Sequence, residues 1–191
     1  MARPSIKEQR RNQILDACEA CLVRYGYDGT TLDRVADAAG LARPLIRHNL
    51  GNRDQLLAAM VERFINRSDE DMEAWLSALP DNDSLGTLID WLFDPAASDP
   101  HFIGVCGALG VAALNDEKLE QILQNWNDRF VARLAKIVQA SRPRAEETAV
   151  MTVAAGIAAI YLGSEHGTKS GTTTTFHQRC KAATLRLIET L

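Results

Sequence analysis

The chain has 191 residues, 46% of them hydrophobic and 24% charged, with four cysteines and a net charge of -4. That balance is ordinary globular usage and argues against a disordered chain, while the length allows one small module plus a larger one or a single helical domain. Few prolines and an abundance of Ala, Leu, Glu, Arg and Gln favour an all-α fold.

The charge is unevenly spread. Residues 1–53 hold nine Lys/Arg against six Asp/Glu, a surplus of +3, and the remainder holds twelve against nineteen, a deficit of -7. A basic head on an acidic body suits local contact with a polyanion. The N-terminus is charged and lacks an apolar signal core, so a cytoplasmic protein without a membrane partner is expected.

Ile14, Leu15, Cys18, Cys21, Leu22 and Tyr25 recur at helical spacing, which predicts a first helix from about Ile6 to Tyr25. Gly26 ends it, and Tyr27-Asp28-Gly29 is turn chemistry. Cys18 and Cys21 form a CxxC pair, but both fall on the apolar stripe without a second pair nearby. They read as small hydrophobes, and no metal or other cofactor is expected.

Thr30 or Thr31 caps a second helix over Leu32–Ala39, with Leu32, Val35, Ala36 and Ala39 inward. Gly40 breaks it. A third short helix follows over Arg43–Leu50, where Pro44 is tolerated in the first turn and Leu41, Ile46 and Leu50 pack inward. Gly51-Asn52 leads into a longer helix from Arg53 to about Leu79, carrying Leu56, Leu57, Met60, Val61, Phe64 and Ile65 on its apolar side.

Beyond Pro80 the pattern predicts a helix from Ser84 to Phe93, a buried Gly-rich helix from His101 to Leu114, and a long helix from Asp116 to Ser141. A helix over about Ala145–Glu165 and a final helix over Phe176–Leu191 follow. The 17 uncharged residues Thr148–Ser164 are slightly short for a membrane span and read as a buried helix. About nine helices are expected.

Two short helices joined through Gly40 are the central pattern. Gly accepts a left-handed backbone at no steric cost, and Ala36 is small where the two helices approach. A helix presented this way fits the major groove of duplex DNA, about 12 Å wide.

The runs Ile14-Leu15-Asp16-Ala17, Tyr25-Gly26-Tyr27-Asp28-Gly29-Thr30-Thr31, Val35-Ala36-Asp37-Ala38-Ala39-Gly40-Leu41 and Gly51-Asn52-Arg53-Asp54-Gln55-Leu56-Leu57 resemble the TetR (tetracycline-repressor-like) regulator family. The resemblance implies an N-terminal three-helix helix-turn-helix domain, residues 1–52. It also implies a larger C-terminal helical domain, residues 53–191, for ligand binding and dimerisation. Members are typically dimers that repress transcription and release their DNA operator when a small molecule binds.

The same resemblance suggests roles by position. Arg43, Pro44 and Leu45 occupy the start of the recognition helix, where Arg43 can take a guanine through O6 and N7 and its neighbours can meet thymine methyls. Arg47 stands where the family usually has a phosphate-binding Tyr, and Arg53 where a Lys usually contacts phosphate. Thr31 and Asn52 lie at helix starts, and His48 lies near the same face. The family's usual Ser-x-x-x-Leu-Tyr-x-His/Tyr-Phe reads here Ala42-Arg43-Pro44-Leu45-Ile46-Arg47-His48-Asn49-Leu50, which implies an atypical operator. Spaced arginines alone would be a solvated face; their place on a recognition helix makes them DNA-contact candidates.

Val153, Ile157, Ile160 and Tyr161, with Phe176, Cys180, Ala183 and Leu187 on the last helix, are the candidate homodimer face. Trp91, Phe102, Cys106, Trp126, Phe130, Tyr161 and His166 are candidate contacts for a small-molecule inducer, and equally plain core residues. A ligand-independent DNA-binding regulator is a second reading. An enzyme using Glu165-His166 with Cys106 or Ser164 is a third. It lacks a nucleophile elbow, metal spacing or phosphate loop, and no catalytic residue is assigned.

Overall fold

The structure is a computed structural model that describes residues 5–80, 82–166 and 174–191. Nine helices make up the described residues: α1 (Ile6–Gly29), α2 (Leu32–Ala39), α3 (Arg43–Leu50), α4 (Arg53–Ser77), α5 (Ser84–Leu92), α6 (Pro100–Ala113), α7 (Glu117–Ser141), α8 (Glu147–His166) and α9 (Thr174–Ile188). The all-α expectation holds, and the predicted helices reappear with ends shifted by a few residues.

The chain forms two compact units, Met1–Glu73 with Gly104–Asp116, and Ala74–Ile103 with Glu117–Leu191. In the first, Ile14, Leu15, Cys18 and Leu22 of α1, Val35 and Ala36 of α2, Ile46 and Leu50 of α3, and Leu56, Leu57, Met60 and Phe64 of α4 are buried. Ser5 and Glu8 form a reciprocal capping box at the start of α1. Gly26 sits inside α1 at φ 72°, so the predicted break is present, followed by one further helical turn to Gly29. Glu19 is buried yet paired, hydrogen-bonded by Arg63 at 2.5 Å and Arg67 at 3.2 Å. Those pairs tie α1 to α4.

Cys18 and Cys21 are buried free thiols. Desolvation pushes the Cys18 thiol up to about 12, so it stays protonated at neutral pH, as a core hydrophobe should. One burial expectation is corrected: Val111 is 69% exposed and Leu114 80%, although both belong to the apolar stretch around α6.

The second unit is built around one apolar cluster. Leu85, Leu88, Ile89 and Leu92 of α5, Val131, Leu134 and Val138 of α7, and Val150, Val153, Ala154, Ile157 and Ala158 of α8 share it. α8 and α9 pack so closely that a Cβ on Gly156 would lie 2.5 Å from Leu187 Cδ2. Residues 147–165 are long and apolar enough by length and composition to cross a membrane, but one face of that segment is occupied by this core.

Candidate DNA-binding interface

The turn between α2 and α3 is made by backbone geometry that few residues accept. Gly40 adopts φ 64°, ψ 34°, the left-handed region. Its N–H bonds Asp37 O at 3.2 Å, and Leu41 N–H bonds Ala36 O at 2.9 Å. This pair closes a Schellman motif and satisfies two end carbonyls of α2. Thr31 caps the other end, its hydroxyl accepting from Arg34 N–H at 3.3 Å. The Thr31 hydroxyl proton is still available to donate.

α3 then divides cleanly by its period. Ile46 and Leu50, one turn apart, are buried against the unit, while Arg43, Pro44, Arg47 and His48 are exposed. Leu45 and Asn49 are half-buried, and Asn49 Nδ2 donates to Leu45 O at 2.8 Å. The exposed face therefore carries the four exposed candidates of the recognition helix on one short segment. Ala42 occupies the N-cap without a side-chain hydrogen bond, so the first N–H groups of α3 lack the usual hydroxyl partner.

Arg43 pairs with Asp33 of α2 at 3.2 Å, and both side chains are more than half exposed. An ion pair in solvent is worth little, so exchanging it for a base edge costs little. Asn52 caps α4: its Oδ1 accepts from Gln55 N–H at 2.9 Å, and Gln55 Oε1 accepts from Asn52 N–H at 2.9 Å. The Asn52 amide group keeps its donors.

Arg53 departs from the pattern of the other basic candidates. Its guanidinium turns toward the α1–α2 junction, with Nε donating to Thr30 O at 2.9 Å and Nη2 donating to Tyr27 O at 2.6 Å. It also stands over the Tyr27 ring at 5.5 Å from the centroid. Nothing in the local sequence signals this, because the two carbonyls lie 23 and 26 residues away.

The ligand candidates are not gathered in one place. Phe130 and Tyr161 meet at 6.0 Å between ring centroids, and Phe93 joins Tyr161 at 6.4 Å. Phe102 meets Trp126 edge-on at 6.0 Å. Trp91 stacks on Trp75 at 4.0 Å. Cys106 is half-buried and belongs to the first compact unit, whereas the others belong to the second. His166 ends α8, and its side chain lies outside the described residues.

A polar group of which the sequence reading named only Glu165 lies in the second unit. Ser98 Oγ donates to Glu165 Oε2 at 2.8 Å, and His177 Nε2 lies 3.8 Å from Glu165 Oε1. Glu165 and His177 are both buried, and neither His177 nitrogen has a hydrogen-bond partner. The serine hydroxyl points to the carboxylate and not to the imidazole, which is not the arrangement that activates a nucleophile. Ser164 Oγ instead donates to Tyr161 O at 2.7 Å.

The dimer candidates divide too. Val153 and Ile157 are 3% and 0% exposed, filled into the unit's own core, which removes them from any surface offered to a partner. Ile160, Tyr161, Cys180 and Leu187 are partly buried against that core. Ala183 is exposed, and Phe176 is 41% exposed. Met151, Ala155 and Ala159 line the outer face of α8 at four-residue spacing and were not in the sequence-derived set.

Residues 14–60 match the family model for bacterial regulatory proteins of the tetR family. The chain is 32% identical over 80 residues to the HTH-type transcriptional repressor AcnR of Corynebacterium jeikeium, 42% of this chain and 39% of that protein. It is 24% identical over 166 residues to the HTH-type transcriptional regulator BetI of Serratia proteamaculans, 85% of this chain and 82% of that one. The matched region thus spans about two-fifths of the AcnR relative's length. A TetR transcription regulator from Haloarcula marismortui superposes with a TM-score of 0.78 at 15% identity, covering 96% of this chain and 98% of that one. That last likeness carries the fold.

Proposed function

We propose, from the premise that this chain belongs to the tetR family of bacterial regulatory proteins through residues 14–60, that it is a DNA-binding transcriptional repressor. The observation that carries the reading is the exposed face of α3, where Arg43, Pro44, Arg47 and His48 project from a helix set by the Gly40 turn. Residues 1–52 are the DNA-binding part and 53–191 the regulatory part. Arg43 reads a guanine, Pro44 and Leu45 meet thymine methyls, and Arg47, Thr31 and Asn52 address phosphates.

The protein acts as a homodimer, because two recognition helices about 34–36 Å apart enter successive major grooves. Phe176 and Ala183 of α9, with Met151, Ala155 and Ala159 of α8, are the exposed apolar residues that support this. A small molecule bound in the second unit releases the operator. The aromatic group around Tyr161, with half-buried Ser98 and buried Glu165 and His177, is the polar-and-apolar mixture such a site requires.

Selection from a randomised duplex pool tests the reading. The wild-type chain should recover a palindromic site, and Arg43→Ala should relax preference at one position per half-site, worth roughly 1–3 kcal/mol. Unchanged base preference in that variant removes the Arg43 assignment. A non-palindromic site bound by one protomer removes the dimer.

A further inference from the structure

α1 does not run straight into α2. The positive φ of Gly26 bends the chain out of the helix, and the carbonyls between Gly26 and Thr31 lose part of the helical ladder. Side chains take over. Thr30 Oγ1 donates to Gly26 O at 2.8 Å, and Arg34 Nη1 donates to Gly29 O at 2.6 Å while its guanidinium covers the Tyr25 ring at 4.4 Å. Arg53, the first residue of α4, adds a bond to Thr30 O and a second bond to Tyr27 O, which also accepts from Thr30 N–H at 3.2 Å. Thr30 is 1% exposed, so its surroundings give little access to water.

We propose that Arg53 is a positioning residue that clamps the α1–α2 junction to α4 and so sets where α2 begins, and that it does not neutralise a DNA phosphate. The inference rests on the DNA-binding reading above. The geometry is specific to a guanidinium. One planar fork reaches two carbonyls through Nε and Nη2 and lays its face toward Tyr27, and only a third of the side chain is left exposed. Its Nη1 faces Asp54 at 3.6 Å, and Asp28 lies 3.9 Å from Nη2. Two carboxylates beside the guanidinium weaken the local field that would draw a phosphate. Residue 31, which caps α2, follows immediately on the clamped Thr30. Loss of the clamp therefore moves the start of α2 and, through the Gly40 turn, the recognition helix.

A phosphate contact and a clamp differ in salt dependence. Each phosphate neutralised contributes about -0.9 to the slope of log K against log salt on duplex DNA, and removing a side chain that touches none leaves the slope alone. Lysine separates the two further, since it keeps the charge and loses the fork. Arg53→Ala and Arg53→Lys should be titrated from about 50 to 200 mM salt against a duplex the wild type selects from a randomised pool, at a temperature where circular dichroism shows both variants folded.

The clamp predicts lines parallel to wild type, displaced about tenfold toward weaker binding in both variants. A slope lowered by about 0.9 in Arg53→Ala, or affinity restored in full by Arg53→Lys, overturns it. If the wild type retains no duplex, the DNA-binding reading fails by itself. The clamp is then read by amide hydrogen exchange at Thr30 and Arg34. Faster exchange in Arg53→Lys supports the clamp, and unchanged exchange overturns it.

Discussion

Both compact units have an apolar core, with Ile14, Leu22, Val35, Ile46 and Met60 at 0% exposure in the first, and they differ in what is added at the helix junctions. The helix-turn-helix region is further fastened by directional contacts at its junctions: the Thr31 cap, the Gly40 turn, the Asn52–Gln55 box and the Arg34 and Arg53 bonds to carbonyls. The second unit is fastened chiefly by area, with Leu88, Ile89, Val138, Ala154 and Ile157 at 0% exposure in one apolar cluster. Directional contacts hold a small surface in one orientation, which a helix that must enter a groove in register needs. Area is indifferent to orientation and gives the larger share of stability.

Substitutions can break that contrast, and the largest effect belongs to the second unit. Leu88→Ala should cost about 2–5 kcal/mol in chemical denaturation, through lost transfer energy and the cavity left behind. DNA affinity at a temperature where the variant is folded should stay unchanged. A smaller cost tests the first unit. Gly40→Ala meets no atom within 4 Å, so only backbone strain opposes it. It should lose roughly 1–2 kcal/mol of stability and a much larger fraction of DNA binding, read together by denaturation and gel shift.

Ala42→Ser should act in the opposite direction. A hydroxyl at the empty N-cap of α3 should stabilise the domain by about 0.5–1 kcal/mol, visible as a raised denaturation midpoint. An unchanged midpoint would mean that the first N–H groups of α3 are already satisfied by solvent.

The smallest expected effect is chemical. Cys18 should resist alkylation in the folded protein at pH 8.5 and react only after unfolding, as mass spectrometry of labelled peptides would report. The sign follows from burial raising the thiol from 9.0 to about 12. Its contribution to stability is fully present below the unfolded value and is lost as pH rises from there toward about 12. Labelling of native Cys18 at the rate of a denatured control would show that the core of α1 opens.

Much of the first unit was legible residue by residue. Gly26 and Gly40 mark positions that few other residues tolerate, and Thr31 and Asn52 sit at helix starts where side-chain oxygens cap N–H groups. These contacts span only a few residues, so the local chain announces them. The face of α3 followed from the spacing of Ile46 and Leu50. The polar group of Ser98, Glu165 and His177 was not legible, because its members come from a loop and two helices separated by up to 79 positions.

The faces of α8 show the limit most directly. A helix apolar on nearly every side carries no stripe to say which residues point inward. Val153 and Ile157 read as partner-facing and are core, while Met151 is 42% exposed. The helices, their order, the glycine turn and the exposed face of α3 were determined by the sequence itself, since propensity, caps and spacing act over one or two turns. Tertiary structure alone decided that Arg53 reaches back to Tyr27 and Thr30, and which side of α8 faces the core. Both depend on which distant groups the folded chain brings within bonding distance.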